Sequence, residues 1–162
     1  QGTMTWVTGD YYVGEFANGK RHGKGTMTWW IGTVYKGEWS EDKMNGKGTL
    51  TLSSGDRFQG YFMNDKRNGL GTYKWSNGDE YKGEYLNDKR HGLGVFTWPN
   101  GNEFRGEFAN GKRNGKGIMT ESSGNIYIGE WLNDKPNGEG TWKMSNGTVY
   151  KGEFVNGKWV QD

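Results

Sequence analysis

Aromatic residues and glycines alternate in short runs along the chain, with polar residues between them, and the runs recur on a fixed spacing. Tyr12-Val13-Gly14-Glu15-Phe16 returns as Tyr35-Lys36-Gly37-Glu38-Trp39, Phe58-Gln59-Gly60-Tyr61-Phe62, Tyr81-Lys82-Gly83-Glu84-Tyr85, Phe104-Arg105-Gly106-Glu107-Phe108, Tyr127-Ile128-Gly129-Glu130-Trp131 and Tyr150-Lys151-Gly152-Glu153-Phe154. The central glycines lie at 14, 37, 60, 83, 106, 129 and 152, so every interval is 23 residues. Alternation with period two is the strand period. A second alternating run follows each first one, as in Gly23-Lys24-Gly25-Thr26-Met27-Thr28-Trp29. Each repeat therefore reads as two strands separated by a polar loop such as Asn18-Gly19-Lys20-Arg21-His22. Turns such as Asn77-Gly78-Asp79 and Asn100-Gly101-Asn102 join one repeat to the next. Glycine every few residues argues against helix.

Alternation also sorts side chains by face. Tyr12, Gly14 and Phe16 point one way, with Gly25, Met27 and Trp29 on the same side. Extended over the chain, this puts 21 of the 25 aromatic residues on one face. The glycines then have a purpose: a position without a side chain lets a neighbouring ring lie flat over the backbone. The opposite face carries the glutamates of the repeat together with lysines and threonines, and reads as solvated, with weak cross-strand ion pairs. The expected fold is all-β: a single elongated, twisted antiparallel meander of about fourteen strands, roughly 65 Å long at the usual strand spacing. The expected organisation is one array, with a partial repeat at 1–8 and repeats starting near 9, 32, 55, 78, 101, 124 and 147, the last incomplete.

Composition narrows the classes. The chain has 162 residues, 30 glycines, 31% hydrophobic residues and a mean hydropathy of −1.03. A conventional aliphatic core cannot be built from this, while regularly spaced aromatics argue against disorder. Cysteine is absent, which removes disulfides and thiolate metal sites and fits a reducing compartment. A net charge of +2 is too small to argue for nucleic acid. No apolar run reaches transmembrane length, and the first residues carry no signal-peptide pattern.

The pattern Tyr-x-Gly-x-aromatic, a polar loop and then Gly-x-Gly, repeated every 23 residues over essentially the whole chain, resembles the MORN (membrane occupation and recognition nexus) repeat. The resemblance implies an elongated all-β array that binds proteins or acidic lipids and sometimes dimerises through its ends. It implies no catalysis by the repeats and no cofactor. It also implies a cytoplasmic setting, with association to cytoskeleton or membrane. The chain departs from the pattern at Tyr61, where a glutamate is usual, at Glu121, where other repeats carry tryptophan, and at Met44 and Pro136 in the basic loop column. After Lys158 the pattern gives way to Trp159-Val160-Gln161-Asp162.

Several segments imitate catalytic motifs. Gly14 to Lys20, Gly106 to Lys112 and Gly152 to Lys158 have the spacing of a phosphate-binding loop, but Arg21, Arg113 or Trp159 follows where Ser or Thr is needed. The recurring glutamates sit on a face with no water-excluding pocket, so a structural role is favoured over acid–base chemistry. The expectation is a non-catalytic chain.

Two surfaces then become candidates. The aromatic face is expected to form a groove for a partner peptide or helix, lined by Trp29, Tyr35, Trp39, Phe58, Phe62, Tyr73, Trp75, Tyr81, Tyr85, Phe96, Trp98, Phe104 and Phe108. The loop edge carries Lys20, Arg21, Lys43, Lys66, Arg67, Lys89, Arg90, Lys112 and Arg113, a basic stripe suited to acidic phospholipid headgroups. Trp159 and Val160, at an exposed sheet edge, are candidates for self-association as a homodimer. The leading expectation is a scaffold that binds a protein partner. The alternatives are a membrane-targeting module and the regulatory repeat region of a larger enzyme.

Overall fold

The computed structural model describes residues 1–160; Gln161 and Asp162, where the repeat pattern ends, lie outside them. Among the described residues there is no helix. Fifteen strands follow one another in sequence order as consecutive hairpins of one open antiparallel sheet. They are β1 (Gly2–Thr5), β2 (Tyr11–Ala17), β3 (Lys20–Thr28), β4 (Val34–Ser40), β5 (Lys43–Thr51), β6 (Arg57–Met63), β7 (Lys66–Lys74), β8 (Glu80–Leu86), β9 (Lys89–Thr97), β10 (Glu103–Ala109), β11 (Lys112–Thr120), β12 (Ile126–Leu132), β13 (Lys135–Lys143), β14 (Val149–Val155) and β15 (Lys158–Trp159). The count exceeds the expected fourteen by one because the partial first repeat contributes β1, while the last repeat still contributes the short β15. The chain packs as two compact units. The first is Gln1–Asn77 with Tyr85–Asp88, and the second is Gly78–Glu84 with Lys89–Asp162.

The turns differ from the sequence expectation. The polar loop after each first strand is a two-residue turn, and Lys20, Arg21 and His22 already belong to β3. Asn18 and Gly19 both have positive φ, 51° and 77°, as do Glu41 and Asp42 at 50° and 67°. That is the tight hairpin geometry matching the twist of paired strands. The junctions between repeats are looser. Trp29 N–H donates to Thr33 C=O at 2.9 Å and Gly32 N–H to Trp29 C=O at 2.9 Å, leaving three residues at the tip. Asparagine with glycine thus marks both kinds of turn, and only the flanking pairing distinguishes them.

The register explains the fixed residue columns. Gly14 pairs with Gly25, Gly25 with Gly37, Gly37 with Gly48, Gly48 with Gly60 and Gly60 with Gly71, a row of glycines across the first unit. A Cβ on Gly25 would lie 2.1 Å from the Tyr12 hydroxyl oxygen, so the ring occupies the space a side chain would need. The rings interlock edge to face. In the first unit the contacts run Tyr12–Trp39, Trp39–Tyr35, Tyr35–Phe62, Phe62–Phe58 and Phe58–Tyr85 at centroid separations of 5.1–5.4 Å. In the second unit Phe108–Phe104, Phe104–Trp131, Trp131–Tyr127 and Tyr127–Phe154 continue the same motif at 5.1–5.3 Å. Such pairs contribute about 0.5–1.5 kcal/mol each beyond burial.

The tight hairpins β2–β3, β4–β5, β6–β7, β10–β11 and β12–β13 each carry a bulge. Between the Gly14–Gly25 and Phe16–Arg21 pairs, Glu15 alone stands opposite His22, Gly23 and Lys24. Its carboxylate accepts the Lys24 N–H at 3.0 Å, a donor the bulge would otherwise strand. Glu38, Glu84, Glu107 and Glu130 do the same for Lys47, Leu93, Lys116 and Glu139. The glutamates expected to form weak ion pairs are therefore bulge ligands. At the exception, Tyr61 covers Gly69 and lies 5.4 Å beneath the Lys47 ammonium.

The tyrosines of the first column also bond to backbone. Tyr35 and Tyr127 hydroxyls each donate to the carbonyl three residues on, at 3.0 Å. Burial, ahead of the nearby Glu130 charge, pushes the Tyr127 hydroxyl up from 10.0 to about 12. Tyr35 moves in the same direction, chiefly by burial. The folded chain thus keeps a proton that the unfolded chain releases near pH 10. This contribution is full below about pH 10 and is lost as pH rises to about 12. Alkaline unfolding followed by circular dichroism should show stability falling across that window, and Tyr127→Phe should make the fall shallower. An unchanged slope would contradict the assignment.

Candidate interaction surfaces

The two first-strand ring columns are core. Tyr35, Phe58, Tyr81 and Phe104 are 0–1% exposed, and Trp39, Phe62, Tyr85 and Phe108 are 3–4% exposed. Eight of the thirteen residues expected to line a partner groove therefore offer no surface to a partner. Tyr73 and Phe96 are also buried, at 9% and 8%. Only Trp29, Trp75 and Trp98 remain half-buried, at the rim of the aromatic face. The alternation placed these rings on one face correctly; their burial follows from how closely the glycine row lets them settle onto the backbone.

The expected basic stripe splits in two. Lys43, Lys66, Lys89 and Lys112 are exposed. Lys20 is exposed too and pairs with Glu41. The arginines turn to the aromatic side, because Arg21 pairs with Phe16, Arg67 with Phe62 and Arg113 with Phe108. The Arg21 guanidinium lies 4.4 Å from the Trp39 ring centre, and that of Arg113 lies 4.6 Å from Trp131. Arg90 lies over Phe96 and Phe108 and donates to the Gly111 carbonyl. Arg21, Arg67 and Arg113 each donate to an aspartate in the next turn, Asp42, Asp88 and Asp134, at 3.1–3.2 Å. The Arg21 backbone N–H also donates to Asp42, at 2.9 Å, and this backbone bond, together with the side-chain contacts, holds the Asp42 carboxyl below its usual range. The aspartates that alternate with the basic residues are thus the clamps joining one turn to the next. The signal was in the alternation, which puts Arg21 on the same side as Gly25 once the strand is taken to begin at Lys20.

Trp159 stacks against Tyr150 at 5.1 Å, and its indole N–H donates to the Lys151 carbonyl at 3.2 Å. Val160 N–H donates to the Glu153 carbonyl at 2.9 Å. Both side chains keep some exposure, 36% and 41%. Among the described residues, no group of three or more His, Cys, Asp or Glu side chains is arranged to hold a metal ion. No helix there is long and apolar enough to cross a membrane.

The family model for the MORN repeat matches residues 12–33, 35–57, 58–80, 81–103, 104–126, 127–149 and 150–160. The chain belongs to the MORN repeat family. No curated protein matches the chain in sequence. Among solved structures, the MORN array is similar to the TCP domain of Drosophila melanogaster SAS-4 (dCPAP), solved in complex with a proline-rich motif of Ana2 (dSTIL). That match has 19% identity, covers 78% of this chain and 70% of that one, and has a TM-score of 0.48. The TCP10c domain of Drosophila melanogaster Sas-4 follows at 17% identity, 80% and 86% coverage and a TM-score of 0.43. The TCP10 domain of Danio rerio CPAP gives 11% identity, 91% and 80% coverage and a TM-score of 0.38.

One surface was not anticipated. On the side of β9–β12 away from the rings, Val95 pairs with Arg105, Arg105 with Ile118, and Ile118 with Ile128. Leu93 stands one step along β9. Leu93, Ile118 and Ile128 are 64%, 41% and 44% exposed. Together with Arg105, Lys116 and Glu130 they line a depression of about 510 Å³. In the first unit the same columns carry Lys24, Lys47 and Leu70, then Thr26, Thr49 and Thr72, then Val13, Lys36 and Gln59, so apolar residues occur there singly and do not fill neighbouring positions together.

Proposed function

We propose that this MORN array is a non-catalytic scaffold that binds a segment of a protein partner, and that its contact surface is the exposed apolar patch of Leu93, Ile118 and Ile128. The observation that carries this reading is the exchange of lysine and threonine for branched apolar residues at three neighbouring solvent-facing positions. An exposed apolar cluster rimmed by charges of both signs is what an interface offers. The buried ring columns hold the sheet in shape for it. The test is selection of peptides from a random library against the chain. Selected peptides should lose at least tenfold in affinity on the triple variant Leu93→Lys, Ile118→Thr, Ile128→Lys. Those residues occupy the same columns elsewhere in the chain, so folding should be kept. Peptides that bind the triple variant normally but are lost on Trp98→Ala would return the contact to the aromatic rim.

A second reading, binding to acidic phospholipid, is favoured by a separate observation. Exposed lysines stand paired with exposed apolar side chains, Lys66 with Met63, Lys135 with Leu132 and Lys158 with Val155. Such a pairing lets apolar groups enter the headgroup region while the ammonium meets phosphate. Co-sedimentation with phosphatidylserine vesicles at physiological salt should then depend on Lys66 and Lys135. Binding seen only at low salt would leave these lysines as solubilising residues.

A further inference from the structure

The arginine column has one gap that keeps its carboxylate. In the first unit, Arg21 and Arg67 show the complete arrangement. The guanidinium Nε donates to an aspartate Oδ1 at 3.2 and 3.1 Å. Nη2 donates to that aspartate's carbonyl at 2.7 and 2.9 Å. The guanidinium lies over an aromatic ring, 4.4 Å from Trp39 or 5.1 Å from Tyr85. At the intervening repeat the position is Met44. The backbone half of the clamp persists, with Met44 N–H donating to Asp65 Oδ1 at 2.8 Å and Asp65 N–H to Met44 C=O at 3.0 Å. The side-chain half is missing, and no cationic side chain among the described residues pairs with Asp65. Pro136, the other exception, faces Gly157 and so leaves no carboxylate behind.

Beside Met44 lies a cavity of about 400 Å³. Trp29 and Trp39 form part of its wall, and Asp42 and Asp65 another part. Asp42 and the inner part of the Trp39 ring are already committed to Arg21, which leaves Asp65 and Trp29, the counterpart of the Trp6 ring that Arg21 also covers. What is left is a carboxylate facing aromatic surface, in a space large enough for one long side chain.

We propose that the Met44 repeat holds an unfilled guanidinium site, which receives an arginine side chain from a partner polypeptide. The chain itself provides the template, since its own arginines fill the same setting on either side of the gap. Arginine suits the site better than lysine because its planar group can lie on an indole while donating to a carboxylate. Lysine brings a compact, strongly hydrated charge that can do only one of these well. The proposal concerns the aromatic face of the first unit and stands independently of the Leu93 surface.

The probe is the blocked tripeptide acetyl-Gly-Arg-Gly-amide, titrated into the full chain while the tryptophan indole N–H signals are followed by NMR. Saturable shifts are expected at Trp29 and Trp39. The lysine counterpart should bind at least fivefold more weakly. Asp65→Asn should weaken the arginine peptide about tenfold, as loss of a charge-assisted bond implies. Met44→Arg should fill the site from within, abolish binding and raise the melting temperature, so loss of binding there cannot be blamed on unfolding. Equal binding of the two peptides, undiminished binding to Met44→Arg, or no shift at either indole would each overturn the proposal.

Discussion

Replacing Gly117 by alanine should cost about 3 kcal/mol, the upper end of the range for overpacking a core. A methyl group there would sit 2.4 Å from both Cε2 and Cζ of Phe104, a ring with no exposure. The ring cannot retreat, because Phe108 and Trp131 pack edge to face against it at 5.3 and 5.1 Å. The matched control is Gly19→Ala. Gly19 has φ +77° and nothing within 4 Å of its missing Cβ, so alanine there should cost only about 1 kcal/mol of backbone strain. Urea unfolding of both variants measures the difference. Equal costs would mean that the glycine row serves turn geometry alone and does not seat the rings.

Trp131→Ala should be at least as damaging, about 3–5 kcal/mol. The ring is 5% exposed and touches Phe104 and Tyr127. Its indole N–H donates to the Gly117 carbonyl at 3.3 Å. It also carries the Arg113 guanidinium, whose partial burial lowers the pKa of that group. Truncation would leave that cation beside a void. Trp98→Ala, at the half-exposed rim, should cost clearly less. If thermal melts show the two variants to be equally mild, the first-strand ring columns are not the core and a groove lined by them becomes tenable again.

Most of the fold was legible from spacing. The 23-residue interval, the period of two and the coincidence of glycines with rings were enough to give an antiparallel meander with the aromatics on one face. Three features were not legible, each for a physical reason. The tight turn was placed at the wrong junction, because Asn-Gly pairs occur at both and local sequence does not reveal which pair closes a two-residue hairpin. The arginine clamps stay hidden while the second strand is taken to begin at Gly23, which leaves Arg21 in a loop, whereas β3 starts at Lys20. The depth of ring burial was missed because alternation assigns a face and says nothing about how far a side chain sinks into it. Tyr35 at 0% and Trp29 at an intermediate exposure lie on the same face. The apolar patch of Leu93, Ile118 and Ile128 was in plain view as three departures from lysine and threonine columns. Single apolar residues also occur in those columns at Leu70 and Val13, and only the strand register shows that Leu93, Ile118 and Ile128 come together.

The most direct test of the account is the affinity of library-selected peptides for two variants measured side by side. One is Leu93→Lys, Ile118→Thr, Ile128→Lys, and the other is Trp98→Ala. The account predicts at least a tenfold loss on the first and little change on the second, with both variants folded by circular dichroism. Retained affinity on the triple variant, with loss on Trp98→Ala, would contradict it and place the binding surface on the aromatic side.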